Sequence, residues 1–367
     1  MNINSFMPVK VISDLNCVVN NSRIFKSLGN RCLVVTGGSS ARKSGALADC
    51  LQALEKESIV YNIFSSVEQN PSTKTCYEAG ACAREMNADF IVGIGGGSPL
   101  DAAKAVAIFA ANPDFLPDSV YVRTVPSAHL PLILIGTTAG TGSEVTGVSV
   151  LTNSDTGMKK SISGADCYAE VAFCDYKYTC SVPKAVTVST ALDAFAHAVE
   201  AYLASSANEF TFIYSEKAIS MLKDFILNIN TFDGTLTENE REQLYIASVY
   251  AGLAINISGT DFPHTLGYYL TENHNIPHGR ACAAFMPVLL ERAKKYCPEK
   301  LGAIENILNC NADKLSEIIK QAADIRISLD ENEAKRISQR WKNGVKNFDR
   351  SPGGFAFDDC VNALMNL

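Results

Sequence analysis

The chain has 367 residues, 47% hydrophobic and 19% charged, with 32 Lys and Arg against 39 Asp and Glu and a formal charge of −7. Such a composition supports packed cores, excludes wholesale disorder, and at ~150 residues per domain suggests about two domains. An acidic chain without Lys/Arg blocks makes a poor partner for nucleic acid or an anionic membrane. No apolar run reaches the roughly 18 residues of a membrane helix. The N-terminal stretch, MNINSFMPVK, lacks the basic and apolar regions of a secretory signal. Twelve Cys are scattered without a CxxC pair or metal-type spacing, mostly among small apolar neighbours such as Ala281-Cys282-Ala283. They read as reduced core thiols in a cytoplasmic protein.

In chain order, apolar β-branched runs at Cys32–Thr36, Ser58–Phe64, Asp89–Ile94, Leu130–Ile135 and Val148–Leu151 alternate with helical patterns such as Ser44–Glu55 and Leu100–Ala111. Near-continuous apolar runs are those of strands buried on both faces. The rhythm predicts an α/β domain with a mostly parallel sheet over residues 1–182. From Pro183 onward strand signals fade. Helical patterns at Val186–Leu203, Glu209–Leu227, Glu238–Ile257, Ala281–Lys295 and Asp313–Ala323 predict an all-α domain over 183–367.

Three strand-to-loop junctions carry glycine and hydroxyl groups. At Asp89–Lys104 an apolar strand enters Gly95-Gly96-Gly97-Ser98, then Pro99, a residue suited to the first turn of a helix. Ser98 suits an N-cap. Free backbone N–H groups at a positive helix end, with no Cβ in the way, can cradle a phosphate. The loop Gly136–Thr146 adds hydroxyls at another strand's carboxyl end, where α/β proteins bind ligands. The third junction, Val34–Lys43, has no acid to hold a ribose 2′-hydroxyl. Its small donors, with Arg42 and Lys43, suit a 2′-phosphate.

The chain has five His. Asp193 and His197 stand i, i+4, on one face of the predicted helix. Among Ala, Phe, Leu and Val neighbours they need partners, either each other or a metal. His264 and His278 lie fourteen apart, the latter between Pro277 and Gly279. One carboxylate oxygen and three imidazole nitrogens make a four-ligand set for one divalent ion, Fe2+ or Zn2+. His129 follows a Pro-Ser-Ala loop and reads as a surface residue.

Together these segments resemble the iron-containing (group III) alcohol dehydrogenase family over nearly the whole chain. The resemblance rests on Gly95-Gly-Gly-Ser-Pro-Leu-Asp-Ala-Ala-Lys104, Thr137-Thr-Ala-Gly-Thr-Gly-Ser-Glu144, Asp193-Ala-Phe-Ala-His-Ala-Val-Glu-Ala-Tyr202 and Ile276-Pro-His-Gly279. It implies a dinucleotide-binding α/β domain followed by a helical metal and substrate domain. It also implies hydride transfer between NAD(P)H and a small alcohol or aldehyde, in a cytoplasmic homodimer. Carried over, the metal ligands are Asp193, His197, His264 and His278. The cofactor residues are Gly38, Ser39, Ser40, Asn70, Gly96, Gly97, Ser98, Asp101, Thr137, Thr138, Thr141, Ser143, Lys159 and Lys160. The missing acid near Gly38 makes NADP(H) the expected cofactor over NAD(H). The sequence departs from the family at Tyr268, where many members carry a His, and at Tyr176, where the usual residue is Pro. His274, or Tyr268 itself, is the expected proton carrier. The rival reading is a non-redox metal- and dinucleotide-dependent enzyme of the dehydroquinate synthase type.

Overall fold

The computed structural model describes residues 3, 5–117, 119–122 and 124–367. These divide into two compact units. Met7–Val182 and Leu236–Val249 form the first, and Pro183–Thr235 and Tyr250–Leu367 make up most of the second. The inclusion of Leu236–Val249 in the first unit departs from the single cut expected at residue 182. Fully buried Tyr245 accounts for it: its hydroxyl sits over Gly136 beside the buried Glu144.

The first unit is built on strands β1 (Lys10–Ile12), β2 (Arg31–Gly37), β3 (Val60–Val67), β4 (Phe90–Gly95), β5 (Leu132–Gly136), β6 (Val148–Thr152), β7 (Lys159–Ser163) and β8 (Val171–Phe173). Six of them form one parallel sheet in the order β1-β8-β5-β4-β2-β3. Alternate residues go to opposite faces. Cys32, Val34, Phe90, Val92, Ile133 and Ile135 pack with the helix Ala46–Lys56 on one side. Leu33, Val35, Ile91, Leu132 and Leu134 pack with the helices Thr73–Glu85 and Gly97–Ala111 on the other. A sheet covered on both faces needs apolar residues at every position, which is why these strands lack an alternating pattern.

Val148–Leu151 is a strand, but outside the parallel sheet. β6 and β7 make an antiparallel hairpin closed by the turn Asn153–Gly157, far too short for a crossover. β1 and β8, at three residues each, carry too little pattern to be read.

The second unit has no strand among its described residues. The expected helix Ala281–Lys295 is two helices, His278–Ala283 and Met286–Tyr296. Pro287 explains the break, since its nitrogen cannot donate into a continuing helix.

One buried cation braces the first unit. Lys104 is fully buried, its Nζ donating to Ser143 Oγ at 2.8 Å, the Val148 carbonyl at 2.6 Å and Thr146 Oγ1 at 3.3 Å, with Asp101 Oδ1 at 3.5 Å. Burial pushes its pKa down, opposed by Asp101. Lys104→Met would leave these oxygens without their donor. An expected loss of about 3–5 kcal/mol in urea unfolding follows.

Candidate active site

In the first unit, β2, β4 and β5 end at Gly37, Gly95 and Gly136. Their register pairs Thr36 with Ile94 and Gly95 with Gly136, so three loops leave the same carboxyl edge of the sheet. β3 lies to one side of β2, and β4 and β5 to the other. The chain therefore reverses direction across the sheet between β2 and β4, the usual ligand crevice of open α/β sheets. Gly38, Ser39 and Ser40 are exposed there. The helix Gly97–Ala111 starts on Gly96 as N-cap, so Ser98 lies inside the first turn instead of capping it. The Ser98 hydroxyl accepts from the Asn70 backbone N–H at 3.1 Å. The second loop lies directly on the glycine turn: a Cβ on Gly96 would sit 3.0 Å from Thr138 Oγ1, and one on Gly97 2.7 Å from Thr141 Cγ2. Asn70, Gly96, Gly97, Ser98, Thr138 and Thr141 thus come together.

Other expected cofactor residues face inward. Ser143 donates to Asp101 Oδ1 at 2.6 Å, and Asp101 Oδ2 accepts from the Val150 N–H at 2.9 Å. Thr137 is buried. These three shape the loop from behind. Lys159 is paired across the hairpin with Thr152, whose hydroxyl donates to the Asn70 carbonyl. Lys160 Nζ donates to the Tyr121 carbonyl at 2.6 Å.

In the second unit, three helices deliver the metal-type residues: Lys184–Leu203 with Asp193 and His197, Phe262–His274 with His264 and Tyr268, and His278–Ala283. Two glycines let them meet. A Cβ on Gly279 would fall into the Ser189 carbonyl and within 2.9 Å of Asp193 Cβ. One on Gly267 would sit 3.0 Å from the Cys282 nitrogen. Asp193 Oδ1 lies 3.5 Å from His264 Nε2 and 3.9 Å from His278 Nε2. Ligand atoms of Asp193, His264, His278 and Cys282 all fall within 4.8 Å of one another. His197 stacks on His264 with ring centroids 4.4 Å apart, and Tyr268 stacks on His278 at 5.4 Å. His274 ends its helix exposed, its ring edge against Tyr269 and outside the cluster. His129, in the first unit, faces Asp166 at 3.6 Å.

Buried Asp193 Oδ1 and His264 Nε2 have no hydrogen-bond partner among the described residues. Buried polar atoms are seldom left so. An oxygen, imidazole nitrogens and a sulfur facing one point fit a divalent transition ion. Burial would raise the Asp193 carboxyl, but the charges of His197 and His278 and the pairing with His264 hold it well below its ordinary range.

Sequence reasoning missed Glu200. Fully buried, it accepts from His264 Nδ1 at 2.6 Å and from the Asp261 N–H at 2.7 Å. That bond fixes the His264 tautomer and turns Nε2 towards Asp193. Asp261 caps the helix that carries His264 and accepts from Ser351. Burial pushes the Asp261 carboxyl up to about 7 against the Ser351 hydrogen bond. The available signal was the spacing Asp193-x-x-x-His197-x-x-Glu200, which continues the buried face by one turn.

A dinucleotide-type sheet edge in one unit and a buried carboxylate–imidazole cluster in the other are the parts of a metal- and nucleotide-dependent enzyme. The chain belongs to the iron-containing alcohol dehydrogenase family: residues 8–176 match the family's "Iron-containing alcohol dehydrogenase" model, and 187–334 match its C-terminal model. It is an alcohol dehydrogenase, an oxidoreductase acting on CH–OH groups, of a family that works with a divalent metal and NAD(P). It is 32% identical to a 1,3-propanediol dehydrogenase of Klebsiella pneumoniae, over 82% of this chain and 79% of that one. It is 29% identical to an NADPH-dependent butanol dehydrogenase of Clostridium saccharobutylicum, over 79% and 75%. An iron-containing alcohol dehydrogenase structure from Thermotoga maritima superposes with a TM-score of 0.90 at 32% identity, covering 99% of both chains. Among the described residues no helix is long and apolar enough to cross a membrane.

Glu200→Gln weakens the hold on His264 while keeping the side chain's shape. Metal affinity, read by chelator competition, should fall about 10–100-fold with the far-UV spectrum unchanged.

Proposed function

We propose that the chain is an aldehyde reductase that forms small primary alcohols and prefers NADPH to NADH. The observation that carries this reading is the buried pair Asp193 Oδ1 and His264 Nε2, left without hydrogen bonds inside a ligand-type cluster. A divalent ion, Fe2+ or Zn2+, held by Asp193, His264 and His278 with His197 beside them, supplies Lewis-acid polarisation of a carbonyl, and the nicotinamide supplies the hydride. Asp193 balances the cation's charge. Glu200 aims His264. Gly96, Gly97 and Ser98 offer backbone donors to the pyrophosphate, with Asn70 bonded to Ser98; Thr138 and Thr141 face the nicotinamide half.

The preference for NADPH rests on the exposed Gly38-Ser39-Ser40 turn, which presents no carboxylate to repel a 2′-phosphate. Arg42 and Lys43 are exposed on the short helix that follows. Lys160 is engaged by Tyr121, which leaves these two as the better candidates. The relative named as NADPH-dependent supports the same choice. A cytoplasmic homodimer belongs to this reading through the family resemblance.

The test is aldehyde reduction followed at 340 nm after chelator stripping and reloading with Fe2+ or Zn2+, using each nucleotide. Stripping should abolish turnover, reloading should restore it, and kcat/KM should be higher with NADPH. Full activity without any ion would refute the metal reading, and equal or better kcat/KM with NADH the cofactor preference.

The alkoxide left by hydride transfer needs a proton. Tyr268, stacked on His278, stands at the cluster; His274 does not. Tyr268 is therefore the better carrier. Tyr268→Phe should lower kcat by about 10²-fold with metal content kept, and His274→Ala should leave kcat and the pH–rate profile unchanged. The reverse pattern would return the role to His274.

A further inference from the structure

Glu144 lies on the short turn Ser143–Val145 that closes the loop after β5, and Tyr245 lies on the helix Glu238–Ser258. Both residues belong to the first unit, and both are buried. They meet over Gly136, where a Cβ would stand 2.4 Å from the Tyr245 hydroxyl and 3.0 Å from Glu144 Oε1. Neither of these atoms has a hydrogen-bond partner among the described residues. Buried polar atoms are seldom left so, and here each has the other beside it. Lys104 is the nearby cation. Its ammonium hydrogens are already taken by Ser143 Oγ, Thr146 Oγ1 and the Val148 carbonyl, and Asp101 answers its charge. Cys174, buried at the same place, brings no charge, because burial pushes its thiol up. Burial pushes the Glu144 carboxyl up as well, against its own backbone N–H, the Lys104 charge and the Tyr245 hydroxyl.

Resting on the nucleotide-dependent reading above, we propose that Glu144, as a neutral carboxyl paired with the Tyr245 hydroxyl, is a positioning residue for nucleotide binding. A protonated carboxyl can donate from its O–H and accept at its carbonyl oxygen, and a phenol can do both, so the pair satisfies both buried atoms without charge. A carboxylate there would have no cation hydrogen to accept, which burial makes costly. The pair ties the turn Ser143–Val145 to the helix that carries Tyr245, while the Ser143 hydroxyl ties the same turn to Asp101. Held at both points, the loop keeps Thr138 and Thr141 against Gly96 and Gly97. The loop is then set before the nucleotide arrives, which lowers the cost of ordering it on binding. Glu144 acts through the loop and not on the nucleotide itself.

The dissociation constant for NADPH, read from the nucleotide's own fluorescence, reports the loop without turnover. Glu144→Ala and Tyr245→Phe should each weaken NADPH binding by about 10-fold, since each leaves a buried polar atom unmet. The combined variant should bind no more weakly than Glu144→Ala, because the two groups act as one. Glu144→Gln keeps a donor and an acceptor without charge and should restore most of the affinity. In steady state, KM for the nucleotide should rise in Glu144→Ala and Tyr245→Phe, with kcat at saturating nucleotide kept. The infrared spectrum at neutral pH should contain the C=O stretch of a protonated carboxyl, and Glu144→Gln should lose it. If Glu144→Ala folds poorly, Tyr245→Phe and the infrared band carry the test. Binding in Glu144→Gln as weak as in Glu144→Ala, unchanged binding in Tyr245→Phe, or no difference in the infrared band would each overturn the proposal and leave the nucleotide reading standing. A folded wild-type protein that binds neither NADPH nor NADH would overturn both.

Discussion

The helical unit depends on close approach. Asp193, His264 and His278 come from three separate helices, and side chains this short meet only if the backbones nearly touch. Gly279 against Ser189 and Gly267 against Cys282 provide that contact. Each glycine is placed one or three residues from a donor: Gly279 follows His278, and Gly267 is one turn beyond His264. The site is thus set by the absence of two side chains as much as by the presence of the donors. Helix pairs ordinarily pack about 8–10 Å apart, a spacing that depends on the side chains at the contact.

The sheet unit reaches its geometry by a different route. Parallel register alone aligns the ends of β2, β4 and β5, and the loops then need only small residues to lie against each other. What holds those loops is internal: Lys104, Asp101 and Ser143 form a polar core beneath the glycine turn. A buried ammonium is costly unless it is fully hydrogen-bonded, and this one is surrounded by oxygen.

The fold was legible where a segment was long and its apolar pattern unbroken. The strands at Cys32, Asp89 and Leu130 and the helices at Glu209 and Glu238 appeared within a few residues of their observed bounds. Short pieces were not legible, because three residues such as Lys10–Ile12 give no period to detect. Within the site, the clustered residues Asp193, His264 and His278 were visible as rare polar residues in apolar surroundings. Cys282 was not, since a thiol among alanines looks like any other core cysteine until His278 is placed one turn before it. Asp101 and Ser143 were read as ligand-facing from their motif, while their hydrogen bonds to each other turn them inward. A motif locates a loop, but the direction of each side chain depends on partners forty residues away.

The Glu200–Asp261 link has a temporal side. Asp261 is held by Ser351, Asn347 donates to Thr260 and Thr265 at 3.1 Å, and the Arg350 carbonyl accepts from the Ser205 N–H at 2.8 Å. Residues 347–351 thereby bolt the end of one donor helix to the start of the next. During synthesis, domains fold from the N-terminal side as they emerge. The sheet unit's strands are complete by residue 173. The carboxylate that aims His264 acquires its full support only after residue 351 has left the ribosome. A nascent chain can therefore hold a finished parallel sheet well before the carboxylate–imidazole cluster of the helical unit has its full set of supports.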